Sequence, residues 1–250
     1  MTDVQIRKTP TGVRYGVLEN HRGPRAPLVL VFAKHVESAL GDDPNSRTAR
    51  ILAAKGWLCA AVDLPCHGPD IRPREPERLD GWAFRIHDGE DIVAPLGPIV
   101  RGVIDHLVAA GEVDAGRIVA YGVSRGGFMA CHVAAVEPRI RAVALFSPVT
   151  DLAALQEFKG MENHTLTRAL TLANQAGKLT GTALWMSIAT FDQRVDTDAA
   201  IAFTRQVVIA AAPEKAADVS LHVLPGIGHA TPQGAYEEAA AWLERKMEAS

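Results

Sequence analysis

The sequence has no long apolar run, little net charge and only three cysteines. No stretch approaches the roughly 18 apolar residues that a spanning helix needs, so no membrane segment is expected. A formal net charge of −3 argues against broad electrostatic binding to nucleic acid or to anionic lipid. The odd number of cysteines (Cys59, Cys66, Cys131) and the lack of CxxC spacing favour reduced thiols. The first residues lack the apolar core of a secretory signal, so we expect a cytoplasmic protein.

The composition is that of an ordinary globular protein, with 48% hydrophobic and 22% charged residues. Neither internal repeats nor linkers interrupt the pattern. A chain of 250 residues suits one α/β domain, so we expect a single domain over residues 1–250.

Short apolar runs alternate with segments of helical periodicity along the chain. This alternation is typical of a mostly parallel sheet with helices on both faces. The predicted strands are residues 4–8, 13–19, 28–33, 57–64, 117–123, 141–147, 183–189 and 220–224. The predicted helices are residues 47–55, about 98–110, 126–136, 197–211 and 233–248.

Two segments stand apart from this alternation. Residues 65–88 begin with a proline-rich stretch, which predicts a loop, and residues 151–181 predict a small helical insertion. We expect both to form the rim of a pocket, the second as a small cap. Their apolar side chains Trp82, Phe158 and Met161 either bind the substrate or anchor these segments on the core.

The segment Gly122-Val-Ser124-Arg-Gly126 follows an apolar strand and precedes a helix. G-x-S-x-G in this context is typical of a nucleophile elbow, in which a strained turn lifts the serine hydroxyl above the sheet. The backbone N–H of Arg125, at the start of the helix, points into the same space and is suited to stabilise an oxyanion. The alternative is a glycine-rich turn with an idle serine.

A nucleophilic serine needs a base, and that base needs an acid to orient it. Asp192 follows the predicted strand 183–189, and His229 follows the strand 220–224 in a glycine-rich loop. Since the carboxyl ends of parallel strands meet at one edge, we expect Ser124, Asp192 and His229 to converge. Two other acids, Asp196 and Asp198, lie where a helix begins, and helix capping explains them. Three other histidines suit a surface or core role better, since His222 lies within a strand, His132 in a helix and His164 in the insertion.

These motifs, with Asp63-Leu-Pro-Cys-His67-Gly68, resemble the α/β-hydrolase fold superfamily over essentially the whole chain. The resemblance implies a mostly parallel eight-stranded sheet with helices on both faces. It also implies that Ser124 is the nucleophile, that His229 is the general base and then acid, and that Asp192 orients it. Asp192-Gln-Arg-Val195 is similar to a motif of the dienelactone hydrolase and prolyl oligopeptidase branches.

The chain departs from the family after its third strand. The family usually has His-Gly there, and a backbone N–H completes the oxyanion hole, whereas this chain has Phe32-Ala33-Lys34-His35. A backbone N–H does not depend on the side chain, so Lys34 or His35 remains suitable, and the end of the predicted strand favours His35.

The sequence therefore predicts a serine hydrolase that cleaves a small carboxylic ester through an acyl-enzyme. The alternatives are a peptidase or a thioesterase with the same triad, or a hydrolase-fold binding protein without chemistry. No set of histidines, acids and cysteines has metal-ligand spacing, so neither a metal nor a cofactor is expected. The expected partner is a small-molecule ester. The sequence leaves the oligomeric state open, and a homodimer formed through the last helix is one alternative.

Overall fold

The computed structural model describes residues 4–18, 23–212 and 216–248. Within these residues an eight-stranded sheet is flanked by helices. The strands are β1 Val4–Lys8, β2 Arg14–Leu18, β3 Ala26–Phe32, β4 Leu58–Ala61, β5 Val113–Val123, β6 Ile140–Phe146, β7 Ala183–Phe191 and β8 Val219–Ile227. The α-helices are α1 Val36–Leu40, α2 Arg47–Ala54, α3 Arg78–His87, α4 Leu96–Ala109, α5 Arg125–Ala134, α6 Thr165–Ala169, α7 Thr197–Ala211 and α8 Ala235–Glu248.

The strand order places the ends of the late strands side by side. The order across the sheet is β1-β2-β4-β3-β5-β6-β7-β8. β1 and β2 are antiparallel to their neighbours, and every pairing from β4 to β8 is parallel. The residues that follow β3, β5, β6, β7 and β8 therefore share one edge of the sheet, where open α/β sheets bind their ligands.

A separate apolar core covers each face of the sheet. Leu28, Leu30 and Phe32 of β3 belong to one core, whereas the intervening Val29 and Val31 belong to the other. This two-residue alternation is what a strand buried on both faces requires. The first core includes side chains from α3, α4, α5 and α7, and the second includes side chains from α1, α2 and α8.

The predicted fold is confirmed, since each predicted strand has its counterpart in the sheet. Two elements have their predicted bounds, β1 at residues 4–8 and α7 at residues 197–211. Strand ends differ by a few residues; β5 begins at Val113 and β8 extends to Ile227. The predicted end of the second strand, Glu19, lies outside the described residues.

The segment 65–88 is not a loop throughout, because residues 78–87 form helix α3. Leu79, Trp82, Ala83 and Ile86 recur at helical spacing and are buried, and this period was present in the sequence. The prolines that predicted a loop all precede the helix. Residues 151–181 contain helix α6 and short 3-10 helices at 152–154, 156–158 and 172–179.

The three cysteines are free and buried. Burial raises the pKa of the Cys66 thiol to about 11, and it also raises the pKa of Cys59 and Cys131. The thiols therefore stay protonated at neutral pH and are unsuited to act as nucleophiles. In the described part of the chain, no helix has both the length and the apolarity to cross a bilayer.

Candidate active site

Ser124 occupies the sharp turn between β5 and α5. Its backbone has φ 55° and ψ −118°, a conformation that a residue other than glycine rarely adopts. The surrounding chain holds it there: the Ser124 N–H donates to the Phe146 carbonyl at 2.8 Å, and the Ser124 carbonyl accepts from Gly127 N–H at 3.0 Å and Val149 N–H at 3.1 Å. The strain is thus maintained by hydrogen bonds to β6 and the chain beyond it.

Two glycines make this turn sterically possible. A Cβ atom at Gly122 would lie 2.3 Å from the Gly126 backbone, and one at Gly126 would lie 1.9 Å from the Phe32 carbonyl oxygen. Both are backbone contacts, which no side-chain rotation relieves. The G-x-S-x-G pattern is therefore required by the packing of β5, α5 and the end of β3.

We expect Gly126→Ala to lower the free energy of unfolding by more than about 4 kcal/mol, because the backbone of β3 must move to admit a methyl group. Gly102→Ala is the matched control. Gly102 lies within α4 with open space around its Cβ position, so the same change should raise stability by about 0.5–1 kcal/mol. Urea unfolding of both variants checks the contrast; a Gly126→Ala protein as stable as wild type would contradict it.

Asp192 and His229 meet above the ends of β7 and β8. His229 Nδ1 lies 2.8 Å from Asp192 Oδ2. A hydrogen bond of 2.8 Å from the Gly228 N–H to the Phe191 carbonyl joins the two loops, and Gly228 has a positive φ of 84° that allows this path. The predicted pairing of acid and histidine is thus present as a contact in the structure.

The Asp192 carboxylate is buried but well supplied with donors. Its Oδ1 accepts from the backbone N–H groups of Arg194 at 2.9 Å and Val195 at 3.3 Å. Burial by itself would raise the pKa of Asp192. The hydrogen bond and charge of His229, together with the backbone donors, outweigh that effect and lower the pKa below its ordinary value. Asp192 is therefore ionised at neutral pH and suited to hold a proton on Nδ1 of His229.

The rival residues have other roles. Asp196 caps α7, where its side chain accepts from the Asp198 N–H at 2.9 Å. His132 is buried in α5 and hydrogen bonds the Leu170 carbonyl at 2.9 Å. His222 lies within β8 and His164 precedes α6. None of these four lines the cavity that contains Ser124 and His229.

A cavity of about 300 Å³ opens beside the candidate nucleophile. Ser124 and His229 both line it, so the hydroxyl and the imidazole share one space that is accessible to a small molecule. The other lining residues include the polar and cationic side chains of Asn45, Ser147, Arg194, Thr231 and Tyr236, of which Arg194 alone belongs to a motif noted in the sequence. In the described part of the chain, no three histidines, cysteines or acids cluster as metal ligands would.

The predicted backbone donors to an oxyanion were Arg125, Lys34 and His35, and the structure places the first two of them at the cavity. Arg125 begins α5, so its backbone N–H has no partner within the helix, and it lines the cavity as expected. Ala33 and Lys34 also line the cavity, but His35 does not. The preference for His35 is wrong because β3 ends at Phe32, earlier than predicted, and His35 precedes helix α1 instead.

The loop after β3 is fixed by the loop after β4. Asp63 Oδ1 accepts from the Val36 N–H at 2.9 Å, and the Leu64 N–H donates to the Lys34 carbonyl at 2.9 Å. Asp63 belongs to the stretch that resembled the family motif. Its side chain fixes the start of α1 through Val36, while the backbone of Leu64 holds that of Lys34.

Trp82 and Phe158 do not contact the cavity. Both are 0% exposed, and Trp82 Nε1 donates to the Pro65 carbonyl at 2.7 Å. Met161 is partly buried and packs against the same core. As substrate-binding residues these predictions are wrong, because the side chains anchor the rim segments on the sheet, the alternative left open by the sequence.

Residues 100–249 match the sequence model of the prolyl oligopeptidase family. No curated protein has significant similarity to the chain. The fold is shared with acetyl xylan esterase 1 from Thermoanaerobacterium sp. JW/SL YS485, at a TM-score of 0.69 and 17% identity over 98% of this chain and 88% of that one. A cold-adapted esterase from an Arctic intertidal metagenomic library has a TM-score of 0.69 at 16% identity, over 98% of this chain and 93% of that one.

The same fold occurs within larger peptidases. The acylaminoacyl peptidase of Pyrococcus horikoshii superimposes with a TM-score of 0.75 at 13% identity. All of this chain is covered in that comparison, but only 42% of the peptidase. At such identities the likeness shows a common architecture and does not distinguish among the reactions that these proteins catalyse.

Proposed function

The chain belongs to the prolyl oligopeptidase family of the α/β-hydrolase superfamily, and from that premise we propose that it hydrolyses small carboxylic esters through an acyl-enzyme on Ser124. The observation that supports this most strongly is the joint position of Ser124 and the Asp192–His229 pair around one cavity. The same constellation of nucleophile, base and orienting acid recurs in acyl-transfer enzymes on unrelated folds.

The proposed reaction has two halves. Ser124 Oγ attacks the ester carbonyl carbon while Nε2 of His229 accepts the hydroxyl proton, and the carbonyl oxygen becomes an oxyanion. The N–H of Arg125 and an N–H of Ala33 or Lys34 stabilise that charge. His229 then returns the proton to the departing alkoxide, which leaves an acyl ester on Ser124. Water attacks this ester while His229 accepts its proton, and the proton then passes to Oγ of Ser124 as the acyl bond breaks, which releases the acid and restores the serine.

The charges around the cavity favour an ester over an aminoacyl substrate. Among the described lining residues, the charged side chains are the cations Lys34, Arg125 and Arg194, together with the titratable His229, and none is an acid. An enzyme that removes residues from a peptide amino terminus needs a carboxylate to bind the substrate ammonium group. The lining would repel that group, so aminopeptidase activity is the weaker candidate.

A substrate panel tests the proposed bond specificity. We expect the wild-type protein to hydrolyse 4-nitrophenyl acetate and butyrate with higher kcat/KM than a matched thioester, and an aminoacyl 4-nitroanilide at least about 100-fold more slowly than the esters. Steady-state rates on the three classes check this. Faster turnover of the anilide would replace the esterase proposal with a peptidase; no turnover of any class and no labelling by a fluorophosphonate would favour the binding-protein alternative.

A further inference from the structure

Among the described residues that line the cavity, Arg125 is the arginine or lysine that forms no ion pair with an acid. Lys34 Nζ lies 3.3 Å from Asp43 Oδ2. Arg194 forms a two-point ion pair with Glu157, at 2.8 Å and 2.5 Å. Arg125 lines the same cavity, immediately after the candidate nucleophile, and forms no ion pair with any acid in the described part of the chain.

The guanidinium of Arg125 is held by a histidine instead. Arg125 Nη1 donates to Nε2 of His67 at 3.0 Å. Nδ1 of His67 donates to the Pro65 carbonyl at 2.8 Å, which leaves the lone pair of Nε2 for the arginine. Burial lowers the pKa of His67 to about 4, so the ring is neutral at neutral pH and accepts this hydrogen bond without charge repulsion.

His67 is itself fixed by a buried network. The Pro65 carbonyl also accepts from Trp82 Nε1, and the next turn is held by Asp70, whose carboxylate accepts from the Cys66 N–H at 2.8 Å. Arg85, only 3% exposed, donates to that carboxylate at 2.6 Å. The Arg125 guanidinium is therefore positioned in advance, which reduces the entropy lost when a ligand binds.

Leaving this charge without an acid is costly. Burial lowers the pKa of Arg125, and the neighbouring Arg78 and Arg194 lower it further, while Glu157 and Asp80 oppose the shift only in part. The guanidinium nevertheless remains protonated at neutral pH. Buried Arg85 shows how the chain otherwise treats such a group, since it pairs with two carboxylates, Asp70 and Glu75. An anionic ligand that pairs with a cation of this kind gains binding free energy, because it neutralises a partly buried charge next to the proposed nucleophile.

We infer that Arg125, presented by His67, binds a carboxylate of the substrate, so the ester that this protein hydrolyses carries a negative charge near its scissile bond. The inference rests on the proposed function and narrows its substrate class. Nη1 is engaged by His67, but no described residue accepts from Nε or Nη2, and a planar guanidinium suits a carboxylate in particular. The carboxylate belongs either to the acyl group or to the alcohol.

Matched ester pairs test the inference and distinguish the two positions. The acyl arm compares mono-4-nitrophenyl adipate with 4-nitrophenyl hexanoate, and the alcohol arm compares 4-acetoxybenzoate with 4-acetoxybenzamide. We expect the wild-type kcat/KM for the anionic ester to exceed that for its neutral partner by about 10- to 100-fold in at least one arm. Arg125→Gln should abolish this preference. Lys34→Gln is the comparison variant. It keeps the backbone N–H, and the charge that it removes is already matched by Asp43, so the ratio of kcat/KM for the anionic and the neutral ester should persist even if both values change.

Binding without turnover provides a second readout. Ser124→Ala protein is titrated calorimetrically with an acyl pair, monomethyl adipate and methyl hexanoate, and with an alcohol pair, 4-acetoxybenzoate and 4-acetoxybenzamide. The titrations are repeated after Arg125→Gln is added. Tighter binding of the anion in either pair that disappears with Arg125 supports the inference, whereas equal binding of anion and neutral partner in both pairs overturns it. An equal loss of preference in Lys34→Gln also overturns it, since a diffuse positive field would then be the cause. If Ser124 proves unnecessary for hydrolysis, the proposed function fails, while the titration still decides the carboxylate subsite.

Discussion

Ser124→Ala is expected to lower kcat for a short activated ester by about a million-fold, to the level supplied by the remaining groups of the site. The reason is chemical, because the Ser124 hydroxyl stands at the sharp turn that begins α5, lines the same cavity as His229 and is the proposed nucleophile. The change removes one oxygen from a partly exposed side chain, so the fold should be retained. Burst and steady-state kinetics with 4-nitrophenyl acetate measure the loss.

The control for this prediction is Ser220→Ala. Ser220 lies in β8, in the interior of the strand and away from the lining of the cavity, so its removal should change kcat less than about two-fold. Thermal unfolding of both variants confirms that the fold is intact. If Ser124→Ala retains wild-type turnover in a preparation free of contaminating hydrolases, the acyl-enzyme on Ser124 is wrong.

Asp192→Asn is expected to lower kcat by about ten thousand-fold, through the wrong tautomer of His229. Oδ1 of Asp192 accepts from two backbone N–H groups, those of Arg194 and Val195. An asparagine must keep its carbonyl oxygen toward these donors, so its NH₂ group faces Nδ1 of His229. Nδ1 then becomes an acceptor, the imidazole proton moves to Nε2, and the ring no longer accepts the proton of Ser124.

Asp198→Asn is the matched control for this second prediction. Asp198 was a rival candidate from sequence, but it is an exposed residue in the first turn of α7. Its amide should retain turnover within a few-fold, and single-turnover acylation rates compare the two variants. A full loss of acylation in Asp198→Asn with wild-type rates in Asp192→Asn would reverse the assignment of the acid.

The residues at the ends of strands were predictable because their placement follows from topology. Parallel strands bring residues after β5, β7 and β8 to one edge, whatever the details of packing, so the shared location of Ser124, Asp192 and His229 followed from order and context. The glycines at 122 and 126 were predictable for the same reason, since only a close backbone approach explains both.

The lining of the cavity was less predictable because it depends on single-residue register and on distant contacts. Because β3 ends at Phe32, the residues of the following loop that line the cavity are Ala33 and Lys34, and His35 does not line it. The roles of Trp82 and Phe158 depend on whether each side chain faces the core or the pocket. Both places favour a large apolar residue, so the residue type does not distinguish them. The contact of Arg125 with His67 joins residues 58 positions apart, and no local pattern indicates it.

The most direct test of the account is covalent labelling of the native protein by a fluorophosphonate, followed by intact mass and peptide mapping. We expect one probe per chain, attached to Ser124, with no labelling of Ser124→Ala and much slower labelling of Asp192→Asn. Labelling at a different residue, or none in a folded preparation that hydrolyses esters, would contradict the claim that Ser124 is the activated nucleophile.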